Sequence, residues 1–532
     1  MKRITAILFL LVLCIESNGT GRVYVSTDRN AYIAGERVWC SLFNTGIDGT
    51  ITAESAIAYV ELLSENGSAL QTKIGLMKGR GSGEFSIPSS LPTGNYRLVA
   101  YTAAQNPESA SAGSRIISIY NTFSGTKLGS VKVSETAPAI HEEDYSDGIS
   151  ISVPAFAKTD SHVSLNLSSD MADISVSIYH EDQLIGQPLS NIAHFFEQFP
   201  LPAEPDYSKP EATGEIIHAV ASGVKGTQAA ILSCAGSVED TYIANTSDDG
   251  TIVFPTGNIY GDKEMVCEIP DGGNDVRLQI LSPYRHPKSG DIPSLTLGKD
   301  MFAALVNRKA SLNCQVAADT LVEFLPRRID PVFGGVVWER YNLDDYQRFP
   351  TVKEVIIEIL NGLKVRRYEG KPIFQLMTTN QGDSRRVLKD HILAMMDGVV
   401  ISDPELILSF DAMLLQEVMI CRQPVVFGNL LYNGVVNFVT KKNYVTALSF
   451  APRVRVIDFY GVRYPVAYTG EKPKESAQDL RKLLYWHPSL KVKGMTSILI
   501  NTPSYTGRFR VVCEGIGKDG KPVAAVTSFE VR

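Results

Sequence analysis

Histidine is scarce in this chain, 8 in 532 residues, and no two are spaced as H-E-x-x-H or His-x-His, the patterns that bring two imidazoles to one metal ion. His391, beside Asp390 and close in sequence to Asp397, is the most suggestive, and it reads as part of a solvated loop ahead of a strand. No G-x-S-x-G elbow raises a serine nucleophile, and no cysteine has the flanks of a known catalytic thiol. A P-loop is missing too. Gly79-Arg80-Gly81-Ser82-Gly83 leads into strand-like residues, so no helix N-terminus follows to hold a phosphate. Asp397, Asp403 and Asp411, with Asn429 and Asn433 downstream, are too far apart for the closely spaced oxygens of a calcium loop. An excess of positive charge is also lacking: 51 Lys and Arg stand against 58 Asp and Glu, a net of −7, which argues against the basic face that nucleic acid requires. The reading is a chain that is not an enzyme, with no cofactor, no metal site and no nucleic-acid partner.

Long apolar runs are confined to the start. Lys2 and Arg3 precede the run Ile4–Cys14, which is too short to span a bilayer, and small or polar residues continue to Gly19. Residues 1–19 therefore read as a secretion signal, cleaved after Ser17 or Gly19. A lipoprotein signal acylated at Cys14 is the alternative, although Leu11-Val12-Leu13 lacks the small residue such signals carry before the cysteine. No later segment reaches the ~18 apolar residues of a membrane helix, so the mature chain is expected to cross no membrane by a helix. Six cysteines remain: Cys40, Cys234, Cys267, Cys314, Cys421 and Cys513, without a C-x-x-C pair. They read as small apolar core residues, with a single bridge such as Cys234–Cys267 as the alternative in an oxidising compartment.

What the chain does have is 22 Tyr, 42 Gly and 27 Pro in 44% apolar material, a composition suited to strands and turns. Residues 20–125 read as a β-sandwich: Val23–Asp28, Val38–Phe43, Ala56–Leu63 ahead of an Asn66-Gly67 hairpin signal, Gly83–Pro88 and Leu91–Thr102. Gly35 and Gly94 are expected to supply positive φ in turns. A polar linker over 124–148 leads to a second sandwich, within 126–200, where Ile149–Val153, Val163–Leu167 and Ala172–Tyr179 alternate. Residues 201–285 form a further β unit, and 286–344 a connector in which Met301–Val316 reads as a helix running into a strand. In 345–443, Val352–Leu360 carries apolar residues at helical spacing, and Lys364–Tyr368 and Pro372–Leu376 read as strands. An Asp397-Gly398 turn follows, then a short helix from Glu405 to about Leu414, a strand, a Gly428-Asn429 turn and the apolar closing strand Val435–Thr440. Residues 444–532 make a C-terminal sandwich whose Thr506–Val512 parallels Thr93–Val99. The fold class is mainly β and multi-domain: immunoglobulin-like or macroglobulin-type β-sandwiches plus one α+β domain.

Several motifs carry a resemblance. Tyr32, Gly35, Glu36 and Val38 meet "Y-x-x-G-E-x-V", and Leu91, Pro92, Gly94, Tyr96 and Leu98 meet "L-P-x-G-x-Y-x-L". In these, residues 20–125 resemble the macroglobulin-type domain of alpha-macroglobulins, without the "C-G-E-Q" thioester run by which those proteins trap proteases. Residues 201–285 loosely resemble carboxypeptidase-regulatory-like sandwiches, with Ser247 where their hairpin has Asp. Asp397, Gly398 and Val399, then Gln416-Glu417-Val418, Phe427-Gly428 and Gly434, Val435, Asn437, Thr440 and Lys441 succeed one another as in the plug domain of TonB-dependent outer-membrane receptors. The order of modules, ending in Asp479-Leu480-Arg481 with Tyr485, Trp486 and Pro488, resembles Bacteroidetes secreted or outer-membrane proteins that lack the receptor barrel.

A receptor plug sits in a barrel of about 22 strands, each of around ten residues. Only 89 residues follow Asn443, too few for a pore. The resemblance therefore implies a non-enzymatic interaction or scaffold protein of the periplasm or outer membrane that presents the plug-like domain to an outer-membrane protein or complex. The alternative is an accessory of TonB-dependent nutrient uptake acting with a separate barrel. Tyr485 and Trp486 are of the residue types that anchor interfaces, and packing in the core is their other reading. The boundary drawn at 345 implies that truncation after Asn342 leaves a soluble β-rich fragment.

Overall fold

The computed structural model describes residues 21–46, 48–108, 112–123, 131–136, 144–184, 192–198, 211–316, 319–321, 333, 336–379, 386–428, 430–468, 470 and 478–532. The signal expected at 1–19, with Cys14, lies outside the described residues, as do much of the 124–148 linker and Asn429. The chain is mainly β and built from several sheets.

The first eight strands, Arg22–Thr27 to Gly113–Tyr120, form one sheet that folds over its own core. Gly67–Met77 carries the fold: it pairs with Ile57–Ser64 over most of its length and, at Leu76 and Met77, with Arg80–Ser86. Alternate residues Val23 and Val25, Val38, Cys40 and Leu42, and Ala58, Val60 and Leu62 point to a shared interior, as a two-residue period requires. Gly35 takes φ 94°, as its turn demands. Gly94 does not: it begins the strand Gly94–Tyr101 without a positive φ, and a Cβ there would meet only Tyr96 at 3.9 Å.

The sandwiches expected at 126–200 and 444–532 are not two units. The 20-residue strand His162–Glu181 pairs on one side with Leu483–Asn501 and on the other with Gly507–Gly517, which continues to Pro522–Val531. Ser150–Ser152 and Tyr145–Asp147 complete the same sheet. Each stretch alone has too few strands to cover an apolar face, and pairing supplies what is missing. The common core runs through Leu165, Leu167, Ile174, Val176 and Ile178 to Phe509, Val511, Cys513 and Phe529.

Between these strands lie the other units. The three-stranded sheet Thr251–Pro255, Ile216–Ser222, Arg277–Ile280 faces the four-stranded Thr241–Asn245, Ala229–Cys234, Asp262–Glu268, Val454–Tyr460 across the core of Ala219, Leu232, Phe254 and Met265. Val454–Tyr460, assigned from sequence to the C-terminal sandwich, thus belongs to this pair of sheets. The connector is also more than a connector. Helix Phe302–Val316 packs Ala304, with Met301 of the 3-10 turn just before it, against Ala31, Ile33 and Tyr120 of the first sheet. Cys40, Cys267, Cys421 and Cys513 are free, buried thiols, so there is no Cys234–Cys267 bridge.

The 345–443 region contains a five-stranded sheet in the order Glu339–Asn342, Leu415–Cys421, Val435–Thr440, Leu393–Met396, Val399–Val400. Its first strand precedes residue 345. Leu393–Met396 runs parallel to Val435–Thr440, and the other pairs are antiparallel. Helix Val352–Glu358 starts at a capping box between Thr351 and Glu354, which satisfies two otherwise orphaned N–H groups. It buries Val352, Val355 and Ile356 against Phe374, Leu376, Val418 and Phe438. The expected 405–414 helix is a shorter one, Pro404–Leu408, and a separate 3-10 turn, Ala412–Leu414, because Asp403 and Asp411 each cap a new start. A three-stranded sheet, Leu363–Tyr368, Lys371–Thr379, Arg386–Lys389, forms an outer layer.

Truncation after Asn342 would strip His162–Glu181 of both its long partners, Leu483–Asn501 and Gly507–Gly517, and leave it only the short Ser150–Ser152. The fragment is expected to aggregate, the reverse of the expectation from sequence; a monodisperse fragment on size-exclusion chromatography would show that the long pairing is dispensable.

Candidate functional site

The motif residues of 345–443 converge on one turn. Asp397 and Gly398 sit at its tip with φ 48° and 80°, a conformation that Asp tolerates and Gly favours. The buried Asp397 carboxylate accepts hydrogen bonds from Thr440 N (2.6 Å), Thr440 Oγ1 (2.7 Å) and Val445 N (3.2 Å). Burial raises its pKa, and the hydrogen bonds from Thr440 and Val445 oppose that rise. Gly398 N donates to Asn437 Oδ1 at 3.1 Å. The turn then reaches across to the neighbouring sheet. Gly236 N donates to the Asp397 carbonyl at 2.7 Å, and a Cβ on Gly398 would lie 2.6 Å from the backbone carbon of Ser237. Asp397, Gly398, Asn437 and Thr440 are thus joinery, holding the 345–443 unit against the 229–268 sheet.

The other motif positions pack. Val399 and Val435 are fully buried. Gly428, φ 62°, turns the hairpin of Val425–Phe427 and Leu430–Tyr432 so that it abuts Ile243, and Gly434 lets Leu376 and the Cys421 carbonyl approach closely. Lys441 is exposed, its N–H bonded to the Leu414 carbonyl. His391 is exposed and stacks on Tyr432 with ring centroids 4.8 Å apart, separated from Asp397 by the strand Leu393–Met396. Trp486, read as a possible interface anchor, is 3% exposed; it packs with Trp39, Tyr179 and Val512 between the first sheet and the C-terminal one. Tyr485 is half-buried beside His487. No group of three or more His, Cys, Asp or Glu is placed to hold a metal ion among the described residues.

Buried charged residues form the joints between units. Glu36, of the Y-x-x-G-E-x-V motif, accepts from Arg29 and from Arg308 of the Phe302–Val316 helix, each at 3.2 Å; Arg308 also binds Asp182 at 2.6 Å. Burial pulls the Arg308 pKa down, but the Asp182 and Glu36 carboxylates outweigh it and leave the pKa above the ordinary value. Arg115 pairs with Glu514 at 3.2 Å and Tyr24 also donates to Glu514, tying the first sheet to the C-terminal one. The signal for Arg115 was available: it lies in phase with Ile117 and Ile119, whose side chains are buried. A third joint sets Lys73 against Glu215 at 2.6 Å, with Tyr59 donating to Glu211 at 2.9 Å. Burial raises Glu211 to about 7.

An exposed cleft of about 490 Å³ lies in the 345–443 unit, in the angle between helix Val352–Glu358 and strand Leu363–Tyr368. Ile356, Leu360 and Leu363 form its buried floor, and Ile357, 66% exposed, stands at its rim. Lys353, Lys364 and Arg366 border it against the carboxylate of Glu358.

No family model and no curated protein matches the chain. Solved structures match it loosely. Salmonella alpha-2-macroglobulin reacted with methylamine is 8% identical over 96% of this chain and 39% of its own, with a TM-score of 0.25. The native conformation of E. coli alpha-2-macroglobulin is 8% identical over 96% and 40%, also at 0.25. The E. coli adhesin FdeC is 11% identical over 53% and 66%, at 0.16. The chain spans about two fifths of the length of these macroglobulins. Superpositions this loose set no correspondence between elements, and no role is carried across.

Asp397→Ala leaves three donors without their acceptor in a buried site and is expected to lower unfolding free energy by about 3 kcal/mol, read by denaturant unfolding. Gly398→Ala is expected to cost at least as much, since its Cβ meets backbone that cannot swing aside; full stability in either variant would remove the turn from the joint. Glu211 carries a pH signature. Its folded pKa of about 7 lies above the ordinary 4.5, so its contribution is full below pH 4.5 and is lost as pH rises through 7. Relative to the native chain, Glu211→Gln should flatten the decline in stability across that window. Parallel pH–stability curves would contradict the assignment.

Proposed function

We propose that this chain is a non-enzymatic interaction scaffold, secreted across the inner membrane to the periplasm or outer membrane, that presents its 345–443 unit to an outer-membrane protein or complex. The observation that carries the reading is the division of that unit into two sides. Its Asp397-Gly398 turn is locked to the neighbouring sheet through Gly236 and Ser237, while its helix and outer sheet leave a bordered cleft open to solvent. A unit gripped on one side and open on the other is suited to presentation. The buried ion pairs support the same reading, because they fix the other sheets against one another as a support. The order of motif residues from Asp397 to Lys441 is what points toward an outer-membrane partner.

A photo-crosslinking residue at Ile357, in the full chain expressed in its native host, tests this. We expect one envelope protein to be captured from Ile357 and not from Lys78, an exposed turn position on the first sheet. Capture of a barrel protein would favour a role in uptake. Equal capture from both positions, or none from Ile357, would overturn the proposal.

A further inference from the structure

The cleft has one wall that is an edge strand. Leu363–Tyr368 pairs with Lys371–Thr379 on one side, and among the described residues no strand pairs with its other edge. Met377 N donates to the Gly362 carbonyl at 2.8 Å, so by antiparallel alternation the N–H and C=O groups of Leu363, Val365 and Arg367 face that open edge. Such an edge accepts a further strand, and a helix across a cleft from it adds a surface for alternate side chains.

Charge selects the occupant. Lys364, Arg366 and Arg367 crowd this short strand, and Lys353 stands across the cleft. A second copy of the same strand would set these cations against one another, which disfavours self-pairing. An acidic strand would meet them favourably. Ile357 is the apolar feature left over: it is out of phase with Val352, Val355 and Ile356, which face the core, and it lies exposed at the rim.

We infer that the Leu363–Tyr368 edge takes an extended, acidic segment of a partner protein as an added β-strand, with an alternate apolar side chain of that segment seated in the cleft against Ile357. This deepens, and rests on, the scaffold reading, since it names the chemistry of the partner.

The test uses the full chain and two labelled peptides of about ten residues, the upper end of ordinary strand length, one alternating Glu with Val and Ile, the other with Lys in place of Glu. Fluorescence anisotropy should show the acidic peptide binding at least tenfold more tightly, with affinity falling as salt rises. Its binding should protect the amides of Leu363, Val365 and Arg367 from hydrogen exchange. Val365→Pro removes an outward N–H while leaving the existing ladder in place, and should abolish binding with the melting temperature little changed. If that variant fails to fold, Lys364→Glu with Arg366→Glu decides instead, by reversing the preference between peptides. Equal affinities, no binding, or binding indifferent to these substitutions would sink the inference. Should the peptides fail while Ile357 still crosslinks an envelope protein, the strand mode is wrong and the scaffold reading survives; failure of both sinks both.

Discussion

The strand His162–Glu181 is held between Leu483–Asn501 and Gly507–Gly517, more than 300 residues later in the chain, and the units that lie between them in sequence are arranged by that closure. The 229–268 sheets and the 345–443 unit are insertions between strands of a single sheet. Their entry and exit points are therefore set by the sheet, not by flexible tethers. Closing so long a loop costs little more than closing a moderate one, because the entropy grows only logarithmically with length. What it demands is specificity. A 20-residue strand with both edges open would pair with whatever reached it first.

Specificity is where the buried charges enter. Two ions removed from water cost several kcal/mol each, so a buried pair adds little net stability compared with apolar residues of similar volume. Its effect lies in the alternatives it forbids. Arg115 without Glu514, or Arg308 without Glu36 and Asp182, would be an uncompensated charge in the interior, so a misplaced sheet is penalised far more than a correct one is rewarded. Each pair bridges elements that are distant in sequence. Together they turn a loose collection of sheets into one support with defined angles, which is the property a presenting scaffold needs.

Local elements were legible because they depend on local chemistry. The helix at Val352–Glu358, the hairpin of Leu363–Tyr368 and Lys371–Thr379, the Asp397-Gly398 turn and the closing strand all follow from apolar spacing and turn residues over a few positions. Sheet membership was not legible, since alternation tells which face of a strand is buried but not which strand lies beside it. That is why two sandwiches were read where one sheet exists, and why Val454–Tyr460 was placed with the wrong partners. Trp486 shows the same limit at one residue: an anchor for a partner and an anchor between two sheets of one chain look alike until the sheets are docked. Gly94 shows another, because a glycine two residues after a proline suggests a turn whether or not its backbone needs one.

Several strand edges remain open among the described residues, and the contrast between two of them bears on function. Leu483–Asn501 is 19 residues long, with Pro488 breaking its donors, Lys491 and Lys493 exposed, and Gly494 at φ 70°. Proline, lysine and a local kink are the means by which proteins keep an edge from pairing with anything. Leu363–Tyr368 has cations but neither proline nor kink, and a cleft with an exposed isoleucine lies beside it. If its cations served only to repel, the apolar rim next to them would be a liability, since it invites the contacts that the charge is there to prevent. Cations and apolar cleft make sense together when they act as a filter, rejecting basic or neutral strands and admitting an acidic one whose side chains can fill the cleft.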